Sequence, residues 1–426
     1  MYVAESTRAL LKPKSSADAR GRRFAGVSRT VVLLGTTSLF TDISSEMVSA
    51  ILPIYIIFAL GGTPLTLGII DGVYQGAAAF VRIVAGIFSD RTGRHKVVAG
   101  IGYGLSAICK IGFVLVGSAV APIVAMIMLD RTGKGIRTAP RDAMISLSTK
   151  PEALGLAFGV HRAMDTVGAF LGPLVAVGLL ILAPGQYDAV FLVSFFVALI
   201  GVATLVLLVP RDKERPVAPP AGAKPMALRG AAALLRDPRF LRLSVVSALL
   251  SLVTISDSFI YLALQRRMDF SPPLLPLLFV GTSFAFMLLA IPIGRLSDSV
   301  GRGRVFIAGY AVLLVAYLLL LKAHVGPLEL GVALLALGAF YAATDGVLAA
   351  LGSAVLPEHQ RATGLSVIAA FDTGTTLVAS IAFGALWTFG GLSLAVVLFA
   401  AALVFAVALA ALLLGETRSL RSNRTA

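Results

Sequence analysis

The amino-acid sequence predicts an all-α membrane protein of twelve transmembrane helices arranged as two pseudo-symmetric six-helix bundles. Three observations carry that prediction. First, 58% of the 426 residues are hydrophobic and 14% charged, and the mean hydropathy of +0.92 lies far from the balance of a soluble domain. Second, apolar runs of about 20 residues or more, enough to cross a hydrocarbon core roughly 30 Å thick as a helix, recur along nearly the whole chain. The alternating strands of about ten residues that build a transmembrane barrel are missing. Third, patterns in the first half return at matching places in the second.

Apolar runs bounded by charge, Gly or Pro give the elements in order. The first half contributes spans at 31–59, 65–89, 97–117, 120–146, 154–182 and 188–209. The second contributes 240–264, 274–297, 304–322, 328–355, 364–388 and 392–414. Between them, "VPRDKERPVAPPAGAKPMALRGAAALLRDPR" is too rich in Pro and charge to cross lipid. The expected organisation is a basic arm at 1–28, a six-helix bundle at 29–209, a linker at 210–239, a second bundle at 240–414 and a tail at 415–426.

A formal charge of +14 would suggest a nucleic-acid partner in a soluble protein, but here placement outweighs the sum. The cations crowd the arm (Arg8 to Arg29), the loop at Arg91, Arg94 and Lys96, the linker from Arg211 to Arg239, the loop at Arg302 and Arg304, and the tail from Arg418 to Arg424. The positive-inside rule places those segments, and both termini, in the cytoplasm. Connections near Gly61, Ser118, Gly185 and Gly390 are short and almost uncharged, as an outer face should be. Arg266 and Arg267 break the pattern, either as snorkelling side chains or as a substrate-attracting vestibule. The basic arm lacks the apolar core of a cleavable signal peptide. One cysteine, Cys109, and four scattered histidines leave no zinc-type spacing, so neither a metal nor another cofactor is expected.

"GIFSDRTGRHKVV", after the second span, answers "GRLSDSVGRGRVF", after the eighth. Gly86, Asp90, Gly93 and Arg94 recur as Gly294, Asp298, Gly301 and Arg302, and Arg91 adds a further cation to the first copy. The register continues: "KPE" at Lys150 answers "LPE" at Leu356, and "MDTVG" at Met164 answers "FDTGT" at Phe371. Paired halves of this kind mark transporters with a central site at the repeat interface. Gly86 permits close helix approach. Asp90, at a helix end, is placed to accept bonds from Arg94 or from a neighbouring helix N-terminus, a charge latch for the cytoplasmic side.

These motifs resemble the major facilitator superfamily over the whole membrane-embedded length. Its most specific loop signature is the Gly86–Lys96 pattern. Arg131-x-x-Lys134-Gly135 resembles its buried-arginine motif, with Lys134 where glutamine is common. Gly159, Gly168, Gly172 and Pro173 fall at the spacing of its antiporter motif, with Ala176 and Val177 where that motif has paired glycines. The sixth span ends "VPRDKERP", without the Glu-Ser found there in sugar importers. The resemblance implies a rocker-switch secondary transporter, commonly proton-coupled. "TDISSEM", "RTGKGIRTAPRDA", "HRAMDT" and "YAATDG" resemble a bacterial subgroup of such permeases without an assigned substrate.

The fourth span concentrates the charge. At 100° per residue, Arg131, Lys134, Arg137, Arg141 and Asp142 fall within a sector of about 140°, a face that must avoid lipid. Pro140 frees a backbone carbonyl near Arg141 and Asp142, which are also candidates for an inner gate. "GKG" at Gly133–Gly135 lacks the context of a phosphate loop. Counter-charges are Asp42 and Glu46, one turn apart on the first helix, Asp165 on the fifth, and Asp71 with Arg82 on the second. Two readings of Asp42 and Glu46 stay open: crowded carboxylates that exchange a proton, or neutralisers of Arg131 and Arg162. Lys110, on the third span, reads as a snorkelling or loosely paired cation, and Tyr74 and Gln75 as cavity polar groups. The second half holds Asp257, Asp345 and Asp372, acids without a basic residue at similar depth in their own helices. Interdomain salt bridges that break and re-form are the expected role for them.

The expectation is therefore a proton-coupled secondary transporter of the bacterial inner membrane, monomeric, exporting a small amphipathic or anionic compound. Arg131, Lys134, Arg137 or Arg162 would bind the anion, unless all are internally paired. Symport of an organic anion or metal chelate, and a transporter-shaped sensor, are the alternatives. No nucleophile–base set supports an enzyme.

Overall fold

A computed structural model of the chain describes residues 27–117, 119–149, 154–210, 234–356 and 361–422, and its regular structure there is entirely helical. In the first half, α1 (Arg29–Ile54) continues through a π-turn at Tyr55–Ala59, followed by α2 (Pro64–Thr92), α3 (His95–Leu115), α4 (Val120–Leu147), α5 (Leu154–Leu182) and α6 (Tyr187–Ala203). The second half comprises α7 (Pro238–Leu252), α8 (Asp257–Met268), α9 (Pro276–Val300), α10 (Arg302–Leu320), α11 (Pro327–Val355), α12 (Arg361–Gly390) and α13 (Leu392–Ser422).

Local chemistry sets the helix ends. Ser28 caps α1 by accepting from Val31 N. Thr63 caps α2 ahead of Pro64, and Asp237 caps α7 ahead of Pro238, both with proline in the first turn where no amide is needed. Gly93 closes α2 at φ 65°, and its repeat partner Gly301 closes α9 at φ 108°. Both lie in the left-handed region, so each loop of the repeated motif needs its glycine.

The expected seventh span, 240–264, is not continuous. It breaks at Val253–Ser256 into α7 and α8. "VTISDS" carries the reason: Thr254 and Ser256 favour extended backbone over helix interior, and Ser256-Asp257 reads as a fresh helix start. Tyr317 on α10 occupies the break, accepting from Ile255 N at 2.6 Å and donating to Val253 O at 3.2 Å.

Ten segments among the described residues are long and apolar enough to cross a membrane. α4 falls outside that set because of its charges, the run from Asp130 to Asp142, and α2 because part of it lies outside the described residues. Leu115, Leu182, Leu207, Phe389 and Leu328 stand on the outer surface at 76% exposure or more, an apolar belt suited to lipid rather than water.

The halves repeat one packing scheme. In the first, α1 packs on α5 and α6, α2 on α4, and α3 on α4 and α6. In the second, α7 packs on α12 and α13, α9 on α11, and α10 on α11 and α13. Glycines allow the closest approaches: a Cβ on Gly168 would meet Leu39 O at 2.6 Å, and one on Gly172 would meet Ile43 O at 2.7 Å. This is what the α5 glycine motif does locally: it lets α5 lie directly on α1.

The two halves meet through α2 on α12 and α5 on α9. The junction is tightest at the end of the bundle away from the termini. Leu65 N donates to Thr388 Oγ1 at 2.9 Å, and a Cβ on Gly72 or Gly384 would meet Leu377 O at 3.0 Å or Pro64 O at 2.5 Å. Nearer the termini, Arg162 on α5 and Asp345 on α11 are both exposed although each lies well inside its helix, and they face each other electrostatically across the halves. The bundle is thus closed at the distal end, and we read the exposed charges toward the terminal end as lining a crevice between the halves.

Candidate functional site

A connected polar cluster runs through the first half. On α4, Asp130 lies between two cations: Oδ1 takes Lys110 Nζ from α3 and Ser106 Oγ at 2.5 Å, and Oδ2 takes Arg131 Nη2 at 2.6 Å. Arg131 stacks on the Tyr74 ring of α2, 3.9 Å from its centroid. Two turns along α4, Arg137 reaches Asp42 on α1 at 3.3 Å and lies 4.8 Å over the Tyr103 ring. Its Nη1 is buried without a hydrogen bond. A turn further, Arg141 binds Asp142 at 2.9 Å and approaches Asp165 on α5 at 3.9 Å. Ser38 ties the end together, touching Tyr103 at 3.2 Å, His161 at 3.0 Å and Arg141 at 3.4 Å.

Several expectations are corrected by this arrangement. Lys110 does not snorkel: it is 1% exposed and held by Asp130. Neither Asp42 nor Glu46 forms an ion pair with Arg131 or Arg162 among the described residues, although Glu46 lies within electrostatic reach of Arg131. Asp42 pairs with Arg137, Glu46 accepts from Ser49 at 2.7 Å, and Arg131 uses its own sequence neighbour. The reason is register: Asp42 on α1 lies opposite Arg137 of α4 and not opposite Arg131. Asp71 faces the second half, where Ser258 and Ser380 bind it at 3.0 and 2.8 Å. Arg266 and Arg267 are anchored as well: Arg267 donates to Leu320 O and Ser393 Oγ, and Arg266 stacks 5.2 Å from the centre of Trp387.

Two cations of the predicted set remain without an ion pair among the described residues, Lys134 and Arg162. Lys134 is half-buried on α4, and Arg162 is exposed in the crevice. Opposite them, the acids of the second half are held by hydroxyls of their own half. Tyr341 and Tyr261 donate to Asp257 at 2.8 and 3.4 Å, and Ser247 and Ser251 donate to Asp372. Asp345 is the exposed member of the three.

The latch motif is only partly visible. The side chains of Arg82, Gly86, Asp90, Arg91 and Asp298, with Gln75, lie outside the described residues, as do the loops at Lys150–Glu152 and Pro357–Glu358. Of its neighbours, His95 Nδ1 bonds Ser89 Oγ at 2.5 Å, and Lys96 Nζ reaches Val206 O and Val209 O at 3.0 and 2.5 Å, closing the last carbonyls of the sixth span. Gly159 and Gly294 have open space at Cβ, and Pro173 lies inside α5.

Sequence reasoning did not single out Asp130, Tyr103, Ser38, Ser251 or Tyr341. Asp130 had a readable signal, since an acid in an apolar run beside a basic helix face should sit at membrane depth. The hydroxyls had none.

The major facilitator superfamily model matches residues 34–287 and 254–426. An uncharacterised transporter of that type from Methanocaldococcus jannaschii is 33% identical over 369 residues, covering 85% of this chain and 89% of that protein. Among solved structures, a mutant form of the nucleoside transporter NupG superposes with a TM-score of 0.76 at 14% identity, over 90% of this chain and 100% of that one. A bacterial homologue of the human lysosomal transporter Spinster, in an inward-facing and unoccupied conformation, gives 0.69 at 15% identity, over 94% and 98%. The chain, with its repeated six-helix halves and its charged fourth helix, belongs to the major facilitator superfamily.

Proposed function

We propose that this membrane transporter is a proton-coupled exporter of the bacterial inner membrane, moving a small amphipathic or anionic compound by alternating access. The observation that carries the reading is the asymmetry of the crevice. On the first half, Lys134 and Arg162 have no ion pair among the described residues and are placed to attract an anion. On the second, Asp257 and Asp372 are held by hydroxyls and by no cation among the described residues. A carboxylate with only hydroxyl partners can gain or lose a proton without breaking an ion pair, as a proton carrier must.

The export direction rests on the crevice opening toward the termini, the end that the positive-inside rule assigns to the cytoplasm. It also draws on the antiporter-like spacing of Gly159, Gly168, Gly172 and Pro173. Lys134, half-buried on α4, and Arg162, exposed on α5, then load substrate from the cytoplasm while the distal end is shut.

Everted membrane vesicles with an acidified lumen test this. A panel of anionic, neutral and cationic compounds would be offered to protein carrying Asp257→Asn, Lys134→Ala or Arg162→Ala beside the parent. Uncoupler-sensitive accumulation of an anion, lost in Asp257→Asn, is the expected result. Gradient-driven release of preloaded compound in place of accumulation would overturn export in favour of symport.

A further inference from the structure

The distal part of the interface holds a carboxylate that the transport reading leaves unused. Asp71, in the second turn of α2, is 6% exposed. Its oxygens accept from Ser258 Oγ on α8 at 3.0 Å and Ser380 Oγ on α12 at 2.8 Å, both from the opposite half. Ser256, at the break before α8, faces Asp71. It is 9% exposed, and its Oγ is buried with no hydrogen-bond partner. The next residue, Asp257, lies within electrostatic reach of Asp71 and is bound by Tyr341 and Tyr261.

No ion pair among the described residues involves either carboxylate. Arg131, stacked on Tyr74 one turn along α2, is held by Asp130. The N-terminus of α8 offers about half a positive charge, too little for two buried acids. A carboxylate kept ionised in such a place is costly, so it takes up either a proton or a cation. The surrounding atoms are hard oxygens, one hydroxyl is unspent, and a spanning helix is broken beside them. That is the setting in which transporters hold monovalent ions. Among the described residues no three His, Cys, Asp or Glu gather as a divalent or transition metal would require.

We propose that Asp71, Ser256, Ser258 and Ser380 form a binding site for a small monovalent cation, sodium by size and hardness, which bridges the two halves and holds the distal end closed. One ligand comes from α2, one from the break before α8, and the others from α8 and α12. The site is therefore complete only while the halves touch. A cation that binds this arrangement and not the parted one shifts the equilibrium toward distal closure. The inference depends neither on the transported compound nor on the direction of transport.

The chain carries a single tryptophan, Trp387, whose ring lies 5.9 Å from that of Phe259, the neighbour of Ser258. Its emission reports on the site. Purified full-length protein would be titrated with sodium chloride against choline chloride at fixed pH and ionic strength, with melting temperature followed in parallel. The expected result is a saturable, sodium-specific emission change with a rise in Tm, absent in Asp71→Asn and about tenfold weaker in Ser256→Ala and Ser380→Ala, the scale of one lost ligand bond. Ser256 Oγ is committed to no group other than Asp71, so Ser256→Ala keeps the test informative if Asp71→Asn does not fold. Identical titrations with sodium and choline overturn the proposal, as does a sodium response unchanged in Ser256→Ala and Ser380→Ala. So does a response to pH alone that Asp71→Asn removes, which makes Asp71 a proton carrier. Because the readout is binding to purified protein, its failure is distinct from a failure of vesicle transport.

Discussion

Lys110 and Arg131 hold opposite oxygens of one carboxylate, that of Asp130. All three side chains are buried at 5% exposure or less, so the group carries one positive charge more than it has negative. This makes the three members unequal. Asp130→Asn leaves two cations facing each other without a counter-ion, and should cost about 3–5 kcal/mol. Lys110→Met leaves a neutral Asp130–Arg131 pair and fills similar volume, so it should cost less than about 1.5 kcal/mol. Thermal unfolding of the purified variants in detergent checks the order. Equal losses would show that Lys110 is needed for more than its charge.

The ion pair between Asp42 and Arg137 leads to a second prediction. Arg137 Nη1 already lacks a partner, and Asp42 is its counter-ion at 3.3 Å. Asp42→Asn should destabilise the first half by about 3 kcal/mol. Asp42→Asn combined with Arg137→Met should recover most of that loss, because no buried charge is then stranded. A double-mutant cycle on melting temperature measures the coupling. Transport is not expected to return with the fold.

How far these features could be read in advance depended on the kind of signal. The spans were legible because lipid imposes length and apolarity on every one, so that 154–182 was placed at its observed limits. The repeat was legible because Gly93 and Gly301 meet the same left-handed backbone requirement twice. The break at Val253–Ser256 was obscured by its own hydropathy: the run stays apolar through it, and only Thr254 and Ser256 hint at an end and a start. Partner choice was the least legible. Helix periodicity placed Arg131, Lys134, Arg137 and Arg141 on one face, but which acid each meets depends on how α1, α3 and α5 are stacked, and that is set by glycines such as Gly168 and Gly172 rather than by the charges.

Those glycines give a third prediction. A side chain at Gly172 would meet Ile43 O at 2.7 Å and Glu46 Cβ at 2.8 Å, atoms of a helix that has nowhere to go. Gly172→Val should cost about 1–3 kcal/mol through overpacking and displace Glu46 with the rest of α1. Gly159→Ala, where nothing lies within 4 Å of the Cβ, should leave Tm unchanged. Melting temperatures of the two variants, measured side by side, separate a packing role for the motif from a role shared by all its glycines.

The unpaired cations provide a fourth. Lys134 and Arg162 make no ion pair among the described residues, and although each lies within electrostatic reach of an acid, Asp42 and Asp345 respectively, truncating either breaks no direct contact. Lys134→Ala and Arg162→Ala should each leave the melting temperature nearly unchanged and raise KM for an anionic substrate about tenfold, the scale of one charge-assisted hydrogen bond. A large fall in Tm would instead mark the residue as part of the bundle's support.

Closure of the distal end is open to a covalent test. Leu65 at the start of α2 and Thr388 near the end of α12 are joined by a hydrogen bond of 2.9 Å from the Leu65 backbone to the Thr388 side chain, the close approach that a disulfide between these positions requires. Cys109, the chain's one cysteine, is buried and 2% exposed, so the background is quiet. With Leu65→Cys and Thr388→Cys together, mild oxidation should cross-link the pair and hold the distal end shut. Alternating access requires that end to part once in every cycle. Transport should therefore stop on oxidation and return on reduction, while either single variant keeps its activity throughout. Cross-linked protein that still transports would mean that α2 and α12 stay together at this end through the cycle, and the opening would then have to lie along α5 and α9.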